Sequence, residues 1–180
     1  MTLFYTGKGD KGQSKVGQKE FAKTDLILQT LGELDELNSL IGLARNNLKT
    51  KILKLHLLEI QENLFLIQAN LANLIYPKFK PPVFSRMKIN NLEKEIKKIE
   101  ERVKPERRFI IPGGENESAW LDYLRSVSRR VERRAAELSQ KKKVSVEILS
   151  YLNRLSSFFF ALARLAAKNK KIKEQSPKYK

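Results

Sequence analysis

A chain of 180 residues is long enough for one domain with a single hydrophobic core. It contains no cysteine, which excludes thiol catalysis, a cysteine-bound metal and a disulfide scaffold. Lysine and arginine number 36 against 20 acidic residues, so the formal net charge is +16 and the chain is expected to attract polyanions.

The amino-terminal region resembles neither a signal peptide nor a membrane anchor. Residues 1–6 lead directly into a polar, glycine-rich stretch, and no run of about 18 apolar residues follows. We therefore expect a cytoplasmic protein that does not associate with a membrane.

Apolar residues recur at steps of three and four along five segments, and nothing reads as a strand, so the sequence predicts an all-α fold. Pro77, Pro81 and Pro82 are expected to end the second helix, and Asn116 is the expected N-cap of the fourth. Long helices with short links are typical of a four- or five-helix bundle. The predicted helices cover about residues 25–48, 53–75, 89–103, 116–139 and 145–168.

The carboxyl-terminal residues differ in composition from the rest of the chain. Residues 168–180 hold six lysines and one glutamate. Such a run at a terminus is typical of a solvated, flexible segment. We therefore predict one helical domain over residues 1–167, followed by a basic, flexible tail over residues 168–180.

A glycine- and lysine-rich loop lies near the amino end, at residues 6–14. Its glycines let backbone N–H groups approach an anion closely, and Lys8 and Lys11 add positive charge, as a triphosphate site requires. Two of the glycines have the interval of a Walker A loop, but Gln13 stands where that motif has lysine and no strand precedes it, which excludes a P-loop NTPase. A glycine-rich leader without a ligand is the alternative reading of these residues.

The fourth predicted helix carries a stripe of charge. Arg125, Arg129 and Glu132 share one face because positions i, i+4 and i+7 are neighbours at 3.6 residues per turn. This helix has more arginine than its carboxylates neutralise, and guanidinium groups suit phosphate oxygens. The alternative is a solvent-facing ladder of ion pairs, Asp122 with Arg125 and Arg129 with Glu132.

Two polar residues inside predicted helices need an interpretation. His56 is the only histidine, so we expect a packing or surface role and predict no metal site and no His-based triad. Asn153 is a poor helix former in mid-helix, and its amide needs a partner. Of Phe158, Phe159 and Phe160, at least one ring is expected to point into the core.

Six stretches of the chain, taken together and in this order, resemble the trimeric PduO-type corrinoid (ATP:cob(I)alamin) adenosyltransferases. Each stretch is weak alone, but six in register are specific, and they extend from the amino-terminal loop into the last helix. They are residues 6–12, 32–39, 60–65, 109–114, 125–133 and 152–156.

The resemblance implies a fold and a reaction. The fold would be a five-helix bundle, ferritin-like and up-and-down, that forms a homotrimer with ATP between neighbouring subunits. The reaction would be attack by Co(I) of the corrinoid on C5′ of ATP, forming adenosylcobalamin and releasing triphosphate. ATP would arrive with Mg²⁺, and a reductase and a corrinoid-dependent acceptor enzyme would be partners, with nucleic acid not expected.

The resemblance also implies roles for the matched residues. Asp35 and Arg129 would pair across the subunit interface. Arg125 and Asn153 would contact ATP, and Glu132 would support the arginine-bearing helix. The ATP-binding loop would comprise Thr6, Gly7, Lys8, Gly9, Asp10, Lys11, Gly12 and Ser14.

Phe109 would face the corrinoid and push away its lower axial ligand, with a plain core phenylalanine as the alternative. Four residues depart from the family pattern: Lys8, Ser14, Gln29 and Glu115. Of these, Glu115 would bring negative charge near the nucleotide and is expected to weaken ATP binding or alter substrate preference.

Two other functions fit parts of the sequence. The charge of +16 favours a basic helical protein that binds RNA or DNA through phosphate contacts, although no RNA-binding motif supports it. A corrinoid-binding or scaffolding trimer without catalysis would keep the fold, but the retained charged and aromatic residues of the matched stretches argue against it.

Overall fold

The computed structural model describes residues 4–5, 7–17, 19–78 and 80–178. Within these residues the chain forms five long helices, preceded by a small antiparallel hairpin. The strands are β1 (Gln13–Val16) and β2 (Lys19–Ala22), and the helices are α1 (Leu26–Asn47), α2 (Lys51–Asn73), α3 (Arg86–Val103), α4 (Asn116–Ser139) and α5 (Val146–Asn169). The five predicted helices are confirmed, whereas the prediction of a chain without strands is wrong.

The hairpin escaped prediction because each strand has only four residues and few apolar ones. Its turn is fixed by Gly17, which has a φ of +64°. A Cβ at this position would lie 2.0 Å from the ring of Tyr76, three residues after α2 ends. Glycine is therefore required both by the backbone conformation and by the aromatic ring, and the hairpin is seated against the bundle at this point.

The amino end of α4 differs from the prediction by one residue. Glu115, not Asn116, is the N-cap, and its carboxylate accepts hydrogen bonds from the backbone N–H groups of Glu117 and Ser118. The Ser118 hydroxyl accepts a hydrogen bond from the backbone N–H of Glu115, which completes a capping box. A carboxylate also complements the positive end of the helix dipole, an advantage that the Asn116 amide lacks.

Helix α2 is capped from another helix. Thr50 precedes α2 without a side-chain cap of its own. The buried Glu117 carboxylate accepts hydrogen bonds from the backbone N–H groups of Lys49 and Thr50, at 2.6 and 2.8 Å, and from the Thr50 hydroxyl at 2.7 Å. Burial raises the pKa of Glu117, and the hydrogen bonds from Thr50 and Lys49 lower it. The lowering outweighs the rise, so the pKa of Glu117 lies below its ordinary value. This carboxylate ties α2 to α4.

The helices pack in a fixed order around the core. Helix α5 contacts α3 and α4, and α1 contacts α4 and α2. Phe158 and Phe159 are buried and Phe160 is half-buried, as the helical phase requires. The ring of His56 meets that of Phe158 edge-on at 5.4 Å, which gives the histidine a packing role. No helix in the described part of the chain combines the length and apolarity that a membrane span needs.

The segment after α5 folds back onto the loop that joins α3 to α4. The backbone N–H of Ile111 donates to the carbonyl oxygen of Gln175 at 2.8 Å, and the Arg108 guanidinium donates to the Ser176 hydroxyl at 2.7 Å. Helix α5 runs to Asn169, two residues past the predicted domain end at 167. The division into a domain and a flexible tail stays a prediction, and residues 179–180 lie outside the described residues.

Candidate functional site

The amino-terminal loop is folded into consecutive tight turns. The backbone N–H of Asp10 donates to the Gly7 carbonyl, that of Gly12 to the Gly9 carbonyl, and that of Lys23 to the Gly12 carbonyl at 2.9 Å. Gly7 and Gly12 have φ values of +68° and +77°, a region that favours glycine. Thr6, predicted to begin the ATP loop, lies outside the described residues.

A cavity of about 560 Å³, here called the loop cavity, lies beside this loop. A Cβ at Gly9 would lie 3.3 Å from the Gln13 carbonyl oxygen, so glycine keeps the wall of the cavity open. Three lysines and no carboxylate line the cavity, which makes it attractive to an anion. The lining residues are Lys8, Gly9, Gln13, Ser14, Lys15, Gly17 and Lys23.

Arg125 and Arg129 line a second cavity of about 370 Å³, here called the arginine groove, between α3 and α4 and above α5. The Arg125 guanidinium lies over the Phe160 ring, 5.6 Å from its centroid. Among the described residues neither Arg125 nor Arg129 forms an ion pair. The ion-pair ladder considered from the sequence is therefore wrong for these two arginines, and both face the groove with their charge available.

Two other arginines of α4 are neutralised within the chain, whereas the exposed Arg133 forms no ion pair among the described residues. Arg130 pairs with Glu36 of α1 at 2.5 Å, and Arg134 pairs with Glu33 of α1 at 2.9 Å. Asp35 lies between these two glutamates in sequence, is exposed, and forms no ion pair in the described part of the chain. Within a single chain Asp35 and Arg129 form no ion pair in the described residues.

Glu132 and Asn153 are brought together across α4 and α5. The Asn153 amide donates to the Glu132 carboxylate at 2.6 Å, and its carbonyl oxygen accepts a hydrogen bond from Arg154 at 2.6 Å. Arg154 in turn pairs with Glu93 of α3 at 2.9 Å. The chain of contacts holds the Asn153 amide in one orientation and explains why an asparagine occupies mid-helix.

Arg164 is a buried arginine in the lining of the arginine groove that the sequence analysis did not single out. It is only 3% exposed, and its guanidinium pairs with Asp122 at 2.5 Å and with Glu174 at 2.9 Å. Burial raises the pKa of Asp122, although Arg164 opposes this by favouring the carboxylate. The guanidinium also lies 4.9 Å from the centroid of the Phe160 ring, at the end of the arginine groove. An arginine within the apolar run 158–167 was the signal that could have identified it.

Phe109 lies on the loop between α3 and α4, and 79% of its surface is exposed. The alternative that it is a core phenylalanine is therefore wrong. Ile111 nearby is also exposed, at 45%, so the loop presents two apolar side chains to the surroundings. Gly113, with a φ of +102°, turns the backbone from this loop towards α4.

The departures from the family pattern have local explanations. The Glu115 carboxylate is engaged at the amino end of α4. The Gln29 amide donates to the Thr24 carbonyl at 3.0 Å, next to the start of α1. Ser14 retains a hydroxyl group in the lining of the loop cavity. The expected effect of Glu115 on ATP stays a prediction.

The two basic cavities are built from different parts of the chain. No residue that lines the loop cavity also lines the arginine groove. In the described residues no group of three or more histidine, cysteine, aspartate or glutamate side chains could hold a metal ion. The candidate site thus comprises two separate cavities lined by lysine or arginine side chains, with Glu100 also in the arginine groove, and one exposed aromatic loop.

Comparison with known proteins gives consistent matches. The family model described as cobalamin adenosyltransferase matches residues 4–166. A corrinoid adenosyltransferase of Bacillus subtilis is 36% identical over 165 residues, which cover 89% of this chain and 84% of that protein. The corrinoid adenosyltransferase PduO of Salmonella typhimurium is 35% identical over 163 residues, 89% of this chain but 48% of that protein.

Solved structures of the same family are also similar to this chain. A variant PduO-type ATP:corrinoid adenosyltransferase from Lactobacillus reuteri, complexed with cobalamin and ATP, matches with a TM-score of 0.91 and 30% identity, covering 97% of this chain and 96% of that chain. A second variant from the same organism, complexed with ATP, matches with a TM-score of 0.89 and 32% identity, covering 97% and 100% of the two chains.

Proposed function

The chain belongs to the cobalamin adenosyltransferase family, and from this premise we propose that it transfers the 5′-deoxyadenosyl group of ATP to a reduced corrinoid. The Co(I) electron pair attacks C5′, the C5′–O bond breaks, and triphosphate leaves with the electron pair of that bond. The products are adenosylcobalamin and triphosphate. The observation that carries the proposal is the arginine groove, where Arg125 and Arg129 lie without an ion pair among the described residues, although Glu100 also lines the groove.

The chain's own residues have two tasks in this reaction, to align the substrates and to stabilise the charge that develops on the leaving triphosphate. Guanidinium and ammonium groups meet the second need, and no general base is required because the nucleophile is a metal centre. We assign ATP contacts to Arg125, Asn153 and the glycine-rich loop. Glu132 then acts as a positioning residue, because it holds the Asn153 amide.

We further propose a homotrimer of ferritin-like bundles, with ATP bound between subunits. Two features support it. The loop cavity and the arginine groove share no lining residue, so a nucleotide that contacts both is more easily held between two chains than within one. Asp35 and Arg129 are both exposed and unpaired in the described part of the chain, as two halves of an intersubunit ion pair would be in a lone subunit.

Mg²⁺ fits this site only as a companion of ATP. Among the residues described, no cluster of three possible metal ligands exists, and Asp10 is the one carboxylate in the loop 7–14. Magnesium commonly keeps several waters and binds through substrate phosphates plus one or two carboxylates. When bound, it would neutralise phosphate charge, and Asp10 would be its protein contact.

We assign Phe109 to the corrinoid. An exposed aromatic ring on a loop can cover the lower face of cobalt and exclude both water and an axial ligand there. Four-coordinate Co(II) is easier to reduce to the Co(I) nucleophile because no axial donor raises the energy of the added electron. A cytoplasmic location, a reductase that supplies this electron and a corrinoid-dependent enzyme that receives the product stay predictions.

The direct test mixes the purified protein with ATP, Mg²⁺ and chemically reduced cobalamin and follows the cob(I)alamin absorbance. We expect an ATP-dependent loss of that absorbance and the spectrum of adenosylcobalamin. Cobalamin binding without formation of the cobalt–carbon bond would favour the scaffolding alternative. DNA or RNA binding with a steep salt dependence, and no cobalt chemistry, would favour the nucleic-acid alternative.

The interface is tested separately by charge exchange. Removing one member of a buried pair costs about 3–5 kcal/mol, so Asp35→Arg or Arg129→Asp alone should weaken assembly, and the two together should restore it. The matched control combines Asp35→Arg with Arg125→Asp, one helical turn away, and should not restore it. A monomeric parent protein at micromolar concentration in light scattering, or restoration by the control pair, would refute the Asp35–Arg129 assignment.

A further inference from the structure

A third cavity, about 550 Å³ in volume, lies between α2, α3 and α5. It is here called the tyrosine cavity, because Tyr151 lies at its inner end. Its volume is in the range of small-molecule sites in proteins. The residues that line it do not include Arg125, Arg129 or any residue of the glycine-rich loop, so it is not part of the adenosyl-transfer site.

Polar groups at the inner end of this cavity form a short chain of hydrogen bonds. The Lys88 ammonium donates to the Asn63 carbonyl oxygen at 2.5 Å, and the Asn63 amide donates to the Tyr151 hydroxyl oxygen at 3.1 Å. Asn63 and Tyr151 are 3% and 1% exposed. Polar groups buried to this extent normally have at least one hydrogen-bond partner, and Asn63 and Tyr151 each have one.

Two features of this chain are left unmet. The Tyr151 hydroxyl accepts from Asn63, but among the described residues its own hydrogen finds no acceptor. Lys88 is half-buried, and within the same residues it forms no ion pair, although its ammonium group has further N–H donors. A buried hydroxyl donor and an ammonium without an ion pair, both lining one cavity, suit an anionic acceptor.

The rest of the lining limits what that anion can be. Part of the wall is apolar and includes Ile60, Leu92 and Phe158, which suit a hydrocarbon body. Four cationic side chains, Lys88, Lys94, Lys98 and Arg102, line the cavity together with Glu59 and Glu95, and Lys98 pairs with Glu95 at 2.6 Å, so the lining carries a net positive charge. The inner end presents one ammonium and one hydroxyl donor, which match the single charge and two oxygens of a carboxylate.

We propose that the tyrosine cavity binds a small monocarboxylate with an apolar body, whose oxygens contact the Lys88 ammonium and the Tyr151 hydroxyl. Burial raises the pKa of Tyr151, which keeps the hydroxyl in its neutral, donating form. The site is independent of adenosyl transfer and is tested without ATP or corrinoid.

The test is calorimetric titration of the full-length protein with octanoate, and with 1-octanol as a neutral probe of the same chain length. We expect octanoate to bind more tightly than 1-octanol. Lys88→Met and Tyr151→Phe should each weaken octanoate binding about tenfold to hundredfold, the range expected for one hydrogen bond to a charged group. Binding of 1-octanol should change little in Lys88→Met.

Two control variants separate the site from general basicity. Lys94→Met removes one positive charge from the lining of the same cavity, where Lys94 makes no hydrogen bond to the residues that the structure describes, and should leave octanoate binding unchanged. Arg125→Met tests whether the carboxylate enters the arginine groove instead. The proposal is overturned if octanoate does not bind at millimolar concentration, if Lys88→Met binds it like the parent, or if Arg125→Met abolishes binding. Thermal melting of each variant excludes loss of the fold as the cause.

Discussion

The exposure of Phe109 leads to a prediction that separates its role in the reaction from a role in stability. With 79% of the residue exposed, about a fifth of a side chain of roughly 200 Å² is covered, or about 40 Å². At about 25 cal/mol per Å², Phe109→Ala should cost about 1 kcal/mol of unfolding free energy or less. Phe159 is 0% exposed, and Phe159→Ala should cost about 3–5 kcal/mol.

The effect on the reaction should be larger. Covering half of the exposed ring with a bound corrinoid removes about 80 Å² from water, which is worth about 2 kcal/mol, or about thirtyfold in affinity for the corrinoid and therefore in kcat/KM. We therefore expect Phe109→Ala to melt within a few degrees of the parent and to lower kcat/KM for adenosylation that starts from Co(II) about thirtyfold. The assays are thermal unfolding, and the rate from Co(II)cobalamin with a reductant and ATP.

The control for Phe109→Ala is Met87→Ala, which removes another exposed side chain, at 65%, outside the six family-like stretches. It should change neither the melting temperature nor the rate. Spectra of Co(II)cobalamin bound to the protein with ATP measure directly whether the lower axial ligand is excluded. If the four-coordinate signal persists undiminished in Phe109→Ala, the ring does not exclude the lower ligand. If Phe109→Ala melts as early as Phe159→Ala, the ring is part of the packing.

Three further substitutions test the site and its support. Arg125→Lys should fold normally and lose about ten- to hundredfold in kcat/KM for ATP, because an ammonium cannot make a bidentate contact; an unchanged value would remove Arg125 from the site. Glu117→Gln should lower the unfolding free energy by about 3 kcal/mol at pH 7. The pKa of Glu117 is depressed, so the parent should lose this stability as the pH falls below about 4.5. If Glu117→Gln loses as much unfolding free energy as the parent over that pH range, the assignment to Glu117 is contradicted. Arg164→Met leaves Asp122 buried without its partner and should cost about 3–5 kcal/mol in urea unfolding; Arg125→Met, at a half-buried arginine without an ion pair, should cost much less.

The long helices could be predicted because their apolar residues repeat over 18 to 24 positions, enough for the period to be read. The hairpin could not, since four-residue strands give no such statistics and pair through backbone groups. Its position depends on Gly17 fitting against Tyr76, 59 residues away. Contacts of this kind are properties of the folded chain rather than of local sequence.

The helix caps likewise include one that local sequence could indicate and one that it could not. Glu115 and Ser118 have the spacing of a capping box and were close enough in sequence to be found, but the prediction preferred the asparagine beside them. Glu117, by contrast, caps α2 from 67 residues away, and no local pattern indicates it. The partners of Arg164 likewise lie 42 and 10 residues distant, on α4 and in the segment after α5.

The arginines of α4 illustrate what a helical stripe can and cannot indicate. Spacing alone puts Arg125, Arg129 and Glu132 on one face, but it does not say which guanidinium groups remain for a substrate. In the folded chain α1 makes that selection, because Glu36 and Glu33 neutralise Arg130 and Arg134. Arg125 and Arg129 line the groove without such partners among the described residues. Two guanidinium groups one turn apart suit a triphosphate, because neither has to give up an ion pair within the chain in order to bind a phosphate oxygen.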